Sequence, residues 1–159
     1  NAYPIVAIDL HDRKLQWAAE FGATHLLNAG QDDIEQALSA LFDGRRLDVA
    51  VDTTGNTAVR QTAYNVTSNT GRTIFAGVPQ LDEKIAIDSF PLHFGRRVIG
   101  SHGGDTQPDI DIPRILQLYK LGKLKLDEQI THKFTLDEIN KAVAMVKAGE
   151  AGRCLISLS

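Results

Sequence analysis

The stretch Tyr3-Pro4-Ile5-Val6-Ala7-Ile8-Asp9-Leu10, followed at once by His11 to Phe21, decides how the rest of the chain is read. Residues 5–8 are a continuous apolar run with β-branched members, the pattern of a strand buried on both faces of a parallel sheet. The next segment carries Leu15, Ala18 and Ala19 on one helical face and stops at Gly22. In a doubly wound α/β sheet, ligands bind beyond the carboxyl ends of the strands, and an acid ending the second strand can accept both hydroxyls of a ribose. Asp9 stands at such a strand end. A carboxylate there accepts a free 2′-hydroxyl and repels a 2′-phosphate. Its plainer role is that of a favourable acid near a helix start.

Outward from this unit the same alternation repeats. His25-Leu26-Leu27 reads as a short strand, Asn28-Ala29-Gly30 as a turn, and Asp32-x-x-Glu35 as a capping pair opening a helix faced by Ile34, Ala37, Leu38 and Leu41. Leu47 to Asp52 is a second buried-strand pattern. It leads through Thr53-Thr54-Gly55 to Asn56, a natural N-cap for a helix faced by Val59, Thr62, Ala63 and Val66. Arg72 to Ala76 is the next strand, ended by Gly77-Val78-Pro79. Strands alternating with helices in this way predict a parallel sheet with right-handed crossovers.

Beyond that point Lys84 to Asp88 alternates like a short edge strand, Ser89 to Gly95 reads as a helical turn or loop, and Arg97 to Ser101 as a strand. A helix opened by Asp111, with Pro113 in its first turn, ends at Gly122. The remainder predicts a strand over Ile130 to Phe134, a helix opened by Thr135-x-x-Glu138 and a last strand from Arg153 to Leu158.

Composition narrows the function classes. The chain has 159 residues, 43% hydrophobic and 23% charged, enough for a real core. A net charge of −3 without any basic run interleaved with aromatics argues against nucleic-acid binding. No apolar stretch reaches the roughly 20 residues that span a bilayer, and there is no signal-like start, so a cytoplasmic protein is expected. One cysteine, Cys154, allows neither an internal disulfide nor a cysteine-based zinc site. His11, His25, His93, His102 and His132 show no paired ligand spacing, and Asp32/Asp33 and Asp109/Asp111 sit at helix starts, where acids favour the dipole.

Several motifs in order resemble the C-terminal half of medium-chain, zinc-type alcohol dehydrogenases and their zinc-binding dehydrogenase relatives. They are Asp9 with Lys14, GATHLLN over 22–28, VDTTG over 51–55, GVP over 77–79 and GEAGRCLISL over 149–158. The resemblance implies a Rossmann-like, doubly wound parallel sheet as a nucleotide-binding domain over 1–122. Residues 123–159 would then be the chain's return toward a catalytic domain. It implies NAD as cofactor, with Asp9 on the ribose and Lys14 beside it. Gly77 and Val78 would line the nicotinamide with backbone, Ser101, His102 and Gly103 would give a second carboxamide contact, and Arg153 would reach the pyrophosphate. A guanidinium suits that last task because its fork grips phosphate oxygens. Thr53 is a further cofactor contact, with a turn hydroxyl serving nearby backbone as the plainer alternative.

The Gly-x-Gly-x-x-Gly turn that opens a complete dinucleotide fold is absent from this sequence. The chain therefore reads as beginning at the second strand, its zinc ligands and catalytic residues lying in a parent protein and neither in this chain. That parent would exchange hydride between a small alcohol or carbonyl substrate and NAD, and the isolated chain would be inactive. A homodimer through the strand over 97–101 is expected, since that edge otherwise exposes unpaired backbone. In the strand order 3-2-1-4-5-6, loss of strand 1 separates Ile5 to Asp9 from Leu47 to Asp52, and predicts a marginal monomer. The alternatives are a zinc-free quinone or enoyl reductase, which the acid at position 9 disfavours, a methyltransferase, which would lack the GVP turn, and a non-catalytic binding or assembly module.

Overall fold

The computed structural model describes residues 2–158. The elements run β1 (Val6–Asp9), α1 (Asp12–Glu20), β2 (His25–Asn28), α2 (Ile34–Leu41), β3 (Leu47–Asp52), α3 (Thr57–Val66), β4 (Thr67–Phe75) and β5 (Arg97–Gly100), followed by α4 (Pro108–Lys120), β6 (Ile130–Thr135), α5 (Ile139–Lys147) and β7 (Arg153–Ser157). All pairings are parallel, in sheets ordered β1-β2, β3-β4-β5 and β6-β7.

The chain divides into two compact units, Asn1–Gln31 with Gln107–Ser159, and Asp32–Thr106. In the first unit β1 pairs with β2 from Val6↔His25 to Asp9↔Asn28, and α1 packs on both strands with Leu15 buried. The β6-α5-β7 segment closes on α1 through small residues. A Cβ on Gly149 would come 2.7 Å from the His11 ring, and one on Gly152 would come 3.6 Å from the Trp17 ring. Lys125 Nζ also donates to the carbonyl of Glu20 at 3.0 Å.

A reciprocal capping box leads into α5. The Thr135 backbone N–H and hydroxyl both donate to Glu138, whose other carboxylate oxygen takes Lys141 Nζ at 3.0 Å. That Lys141 bond, with the Thr135 N–H second, holds the Glu138 carboxyl below the ordinary glutamate range. A depressed folded-state value contributes stability above the unfolded pKa and loses it as pH falls through the folded one. Glu138→Gln is therefore expected to lower the denaturant midpoint near neutrality, and the gap from the parent chain should close on acidification below about pH 4. A gap that persists or widens in acid would contradict this.

In the second unit the core gathers where α3 meets the sheet. Tyr64 is buried under the sheet, and the buried hydroxyls of Thr67 and Thr73 bond each other at 2.9 Å. Asn56 caps α3 as its sequence position predicts, its Oδ1 accepting from the N–H groups of Ala58 and Val59.

Four expectations change. Residues 84–88 form no strand, because α3 side chains engage that segment's acceptors: Gln61 Nε2 donates to Ala86 O at 2.9 Å and the Tyr64 hydroxyl to Asp88 O. Asp33, and not Asp32, caps α2 by accepting from Gln36 N–H, which starts the helix a residue later than the Asp32/Glu35 pair implies. Helix α4 starts at Pro108, where a missing N–H costs nothing, and Pro113 lies inside it. Finally, β1 and β3 are not buried on both faces: Ile8, Val49 and Val51 are exposed, since each strand is paired along one edge and covered by its following helix.

Candidate functional site

The carboxyl ends of β3, β4 and β5 lie side by side in the second unit, and Asp52 ends the first of them, 1% exposed. Its Oδ1 accepts from Thr54 N–H at 2.8 Å and the Thr54 hydroxyl at 2.7 Å, and its Oδ2 from Gly55 N–H at 3.1 Å. Its main-chain carbonyl accepts from the N–H groups of Ala76 at 2.8 Å and Gly77 at 2.9 Å. One residue therefore ties down the turns that follow two strands.

Those turns meet backbone to backbone. A Cβ on Gly77 would sit 2.2 Å from Gly55 N and 2.6 Å from Thr53 C, and a Cβ on Gly55 would sit 2.3 Å from Val78 O. Gly55 also has φ +73°, a left-handed conformation that glycine adopts without strain. The Val78 side chain is 86% exposed. On the third strand, Ser101 N–H continues the ladder to Phe75 O at 2.9 Å, and Ser101 Oγ accepts from Gly104 N–H at 3.1 Å. His102 precedes a tight turn in which Gly103 has φ 60°. Thr53, Gly77, Val78, Ser101, His102 and Gly103 thus gather at one end of one sheet.

The other sequence candidates belong to the first unit. Asp9 ends β1, half-buried, and its Oδ1 accepts from His11 N–H at 2.9 Å. Its Oδ2 has no partner among the described residues. Lys14 lies in the first turn of α1, and Arg153 opens β7 opposite Ile130, exposed. Among the described residues no ion pair joins Asp9, Lys14 or Arg153.

Two features escape sequence reasoning. Asp52 reads only as the polar end of an apolar run, although an acid followed by Thr-Thr-Gly is a pattern that lets a carboxylate collect turn N–H groups. Arg96 is 5% exposed at the C-terminal end of α3, where its guanidinium donates to Ser68 O at 3.2 Å, Tyr64 O at 3.4 Å and Asn69 Oδ1 at 2.9 Å and stacks on the Tyr64 ring. It borders a polar cavity of about 580 Å³, lined also by Glu35, Arg46 and Asp88.

The family described as zinc-binding dehydrogenase matches residues 1–120. The chain belongs to that family. This zinc-binding dehydrogenase chain is 34% identical over 161 residues to S-(hydroxymethyl)glutathione dehydrogenase of Aspergillus oryzae, covering 99% of this chain and 42% of that protein. It is 35% identical to the enzyme of the same name from Komagataella pastoris, over 99% of this chain and 43% of that one. Among solved structures, benzyl alcohol dehydrogenase from Acinetobacter calcoaceticus superimposes with a TM-score of 0.93 at 26% identity, covering all of this chain and 44% of its own. An alcohol dehydrogenase zinc-binding domain protein from Burkholderia ambifaria gives 0.91 at 29%, covering all of this chain and 43% of its own. The zinc-binding dehydrogenase chain therefore has the Rossmann-like parallel fold of alcohol dehydrogenases, and it spans less than half the length of these relatives.

Proposed function

We propose that this chain supplies NAD-binding contacts for an alcohol dehydrogenase, in which hydride passes from an alcohol to the cofactor to give an aldehyde or ketone. The observation that carries this reading is the Asp9 carboxylate, held at the carboxyl end of a parallel strand with one oxygen on His11 N–H and the other unpartnered. That second oxygen can accept a ribose hydroxyl. Charge-assisted hydrogen bonds of this kind are worth roughly 1.5–3 kcal/mol each. In the same reading Lys14 lies beside the ribose, and Thr53, Gly77, Val78, Ser101, His102 and Gly103 present hydroxyls and backbone to the nicotinamide end. Arg153 holds the pyrophosphate, and residues 123–159 lead back toward the catalytic domain. NAD would supply the hydride acceptor, and every contribution of this chain is binding and orientation. In this reading zinc would be held by ligands of the parent protein outside this chain.

Calorimetric titration of the chain and of Asp9→Ser with NADH and NADPH tests the assignment. The chain is expected to bind NADH at least about tenfold more tightly than NADPH, and Asp9→Ser to narrow that gap. Equal or tighter NADPH binding by the parent chain would sink the Asp9 role. The pure chain is expected not to reduce NAD in the presence of alcohol and zinc.

Association is the second expectation. Strand β5 pairs with β4 along one edge, its Ile99 is exposed, and so are Phe90 and Phe94 in the segment that precedes it. An apolar edge of this kind favours pairing with a second copy. Among the described residues no helix is long and apolar enough to cross a membrane, so a bilayer-spanning helix does not account for that surface. Sedimentation should show a dimer that Ile99→Lys dissociates, with the monomer melting over a broad range. A monomeric parent chain with a sharp two-state melt would contradict both statements.

A further inference from the structure

We infer that Asp52, which makes no proposed cofactor contact itself, is the positioning residue for the Gly77–Val78 backbone. The inference rests on the cofactor reading above for its functional consequence and on geometry alone for its structural one. Asp52 is a nearly fully buried carboxylate, and its oxygens are engaged by three donors: Thr54 N–H, the Thr54 hydroxyl and Gly55 N–H. A buried charge is tolerated where such hydrogen bonds replace lost water. These bonds curl residues 53–55 into a turn at the end of β3. Gly55 then lies against the Val78 carbonyl, too close for a Cβ on either Gly55 or Gly77. The Asp52 carbonyl meanwhile takes the N–H groups of Ala76 and Gly77. The second turn is therefore held from two directions, and a shift of the first must move the second. A carboxylate is needed and not merely a polar group. An amide in its place turns one acceptor into a donor that faces another N–H, leaving a buried clash of donors.

The test compares the full chain with Asp52→Asn, with Thr54→Val, which removes the hydroxyl's bond to Asp52 together with the one it accepts from Asn56 N–H but leaves the backbone donors to Asp52 in place, and with Thr73→Val. The last variant breaks the buried Thr67–Thr73 hydroxyl pair elsewhere in the same sheet and controls for general destabilisation. Backbone amide exchange and NADH titration are read at a temperature where all four remain folded. Asp52→Asn is expected to speed exchange of the Gly77 amide about tenfold and to weaken NADH by a similar factor, as expected when one charge-assisted hydrogen-bond set is lost. Thr54→Val should show both changes in smaller size, and Thr73→Val neither. If Asp52→Asn fails to fold, the Thr54→Val comparison decides. Gly77 exchange and NADH affinity unchanged in Asp52→Asn and Thr54→Val, or changed equally in Thr73→Val, would overturn the inference. Should the parent chain bind no NADH, the cofactor reading falls, and the Gly77 amide alone decides the positioning role.

Discussion

Gly77→Ala is expected to destabilise the second unit by about 3 kcal/mol or more and to abolish NADH binding. The added Cβ would overlap main-chain atoms of Thr53, Thr54 and Gly55 at 2.2–2.6 Å. Backbone cannot swing aside as a flexible side chain can. The turns after β3 and β4 would have to separate, which breaks the Asp52 carbonyl bond to Gly77 N–H and displaces Val78. Gly100→Ala, with open space around its Cβ, is the matched control and should leave stability nearly unchanged. Urea midpoints for the two variants check the claim, and similar midpoints would refute the packing of the two turns.

Arg96→Met is the second large effect, with an expected loss of about 3 kcal/mol. A helix leaves its last carbonyls short of intrahelical partners, and at the end of α3 the buried Arg96 supplies donors to them. The Arg96 guanidinium serves Tyr64 O and Ser68 O and stacks over Tyr64, while the negative end of the helix dipole offsets its charge. Methionine fills similar volume without a donor, so Ser68 O and Asn69 Oδ1 lose their Arg96 bonds and Tyr64 O is left with the Thr67 N–H alone. Arg96→Lys should recover only part of the loss, because a single ammonium cannot reach the carbonyls of residues 64 and 68 and Asn69 Oδ1 in one planar fork. Full recovery by lysine would indicate that charge alone matters.

The order of elements was legible because several strands carry a short apolar run and several helices a local stop or start, although β4 begins at Thr67, ahead of the apolar run that announces it. Gly22 ends α1 with φ +104°, Asn56 opens α3, and Thr135 with Glu138 opens α5. What escaped the sequence is decided by tertiary contacts. Residues 84–88 alternate like a strand, yet Gln61 and Tyr64 on α3 occupy their carbonyls, and no local pattern announces that. Pro113 looked like a first-turn proline, whereas Pro108 had already opened the helix. The strand-end glycine Gly77 was legible as a place of close backbone approach. That its neighbour in this structure is Gly55 depends on the fold of the Asp52 turn. Arg96 carried no signal, because a buried arginine next to Arg97 looks in sequence like any other charged pair.

The most direct test of the central claim is residue-resolved. Backbone amide resonances of this 17.4 kDa chain can be followed while NADH is added. The account predicts that shifts concentrate at Asp9 and Lys14, at Thr53, Gly77 and Val78, and at Ser101 to Gly103, and that Asp9→Ser removes the first group. Shifts confined to the cavity beside Arg96, or no shifts at all at millimolar NADH, would contradict it.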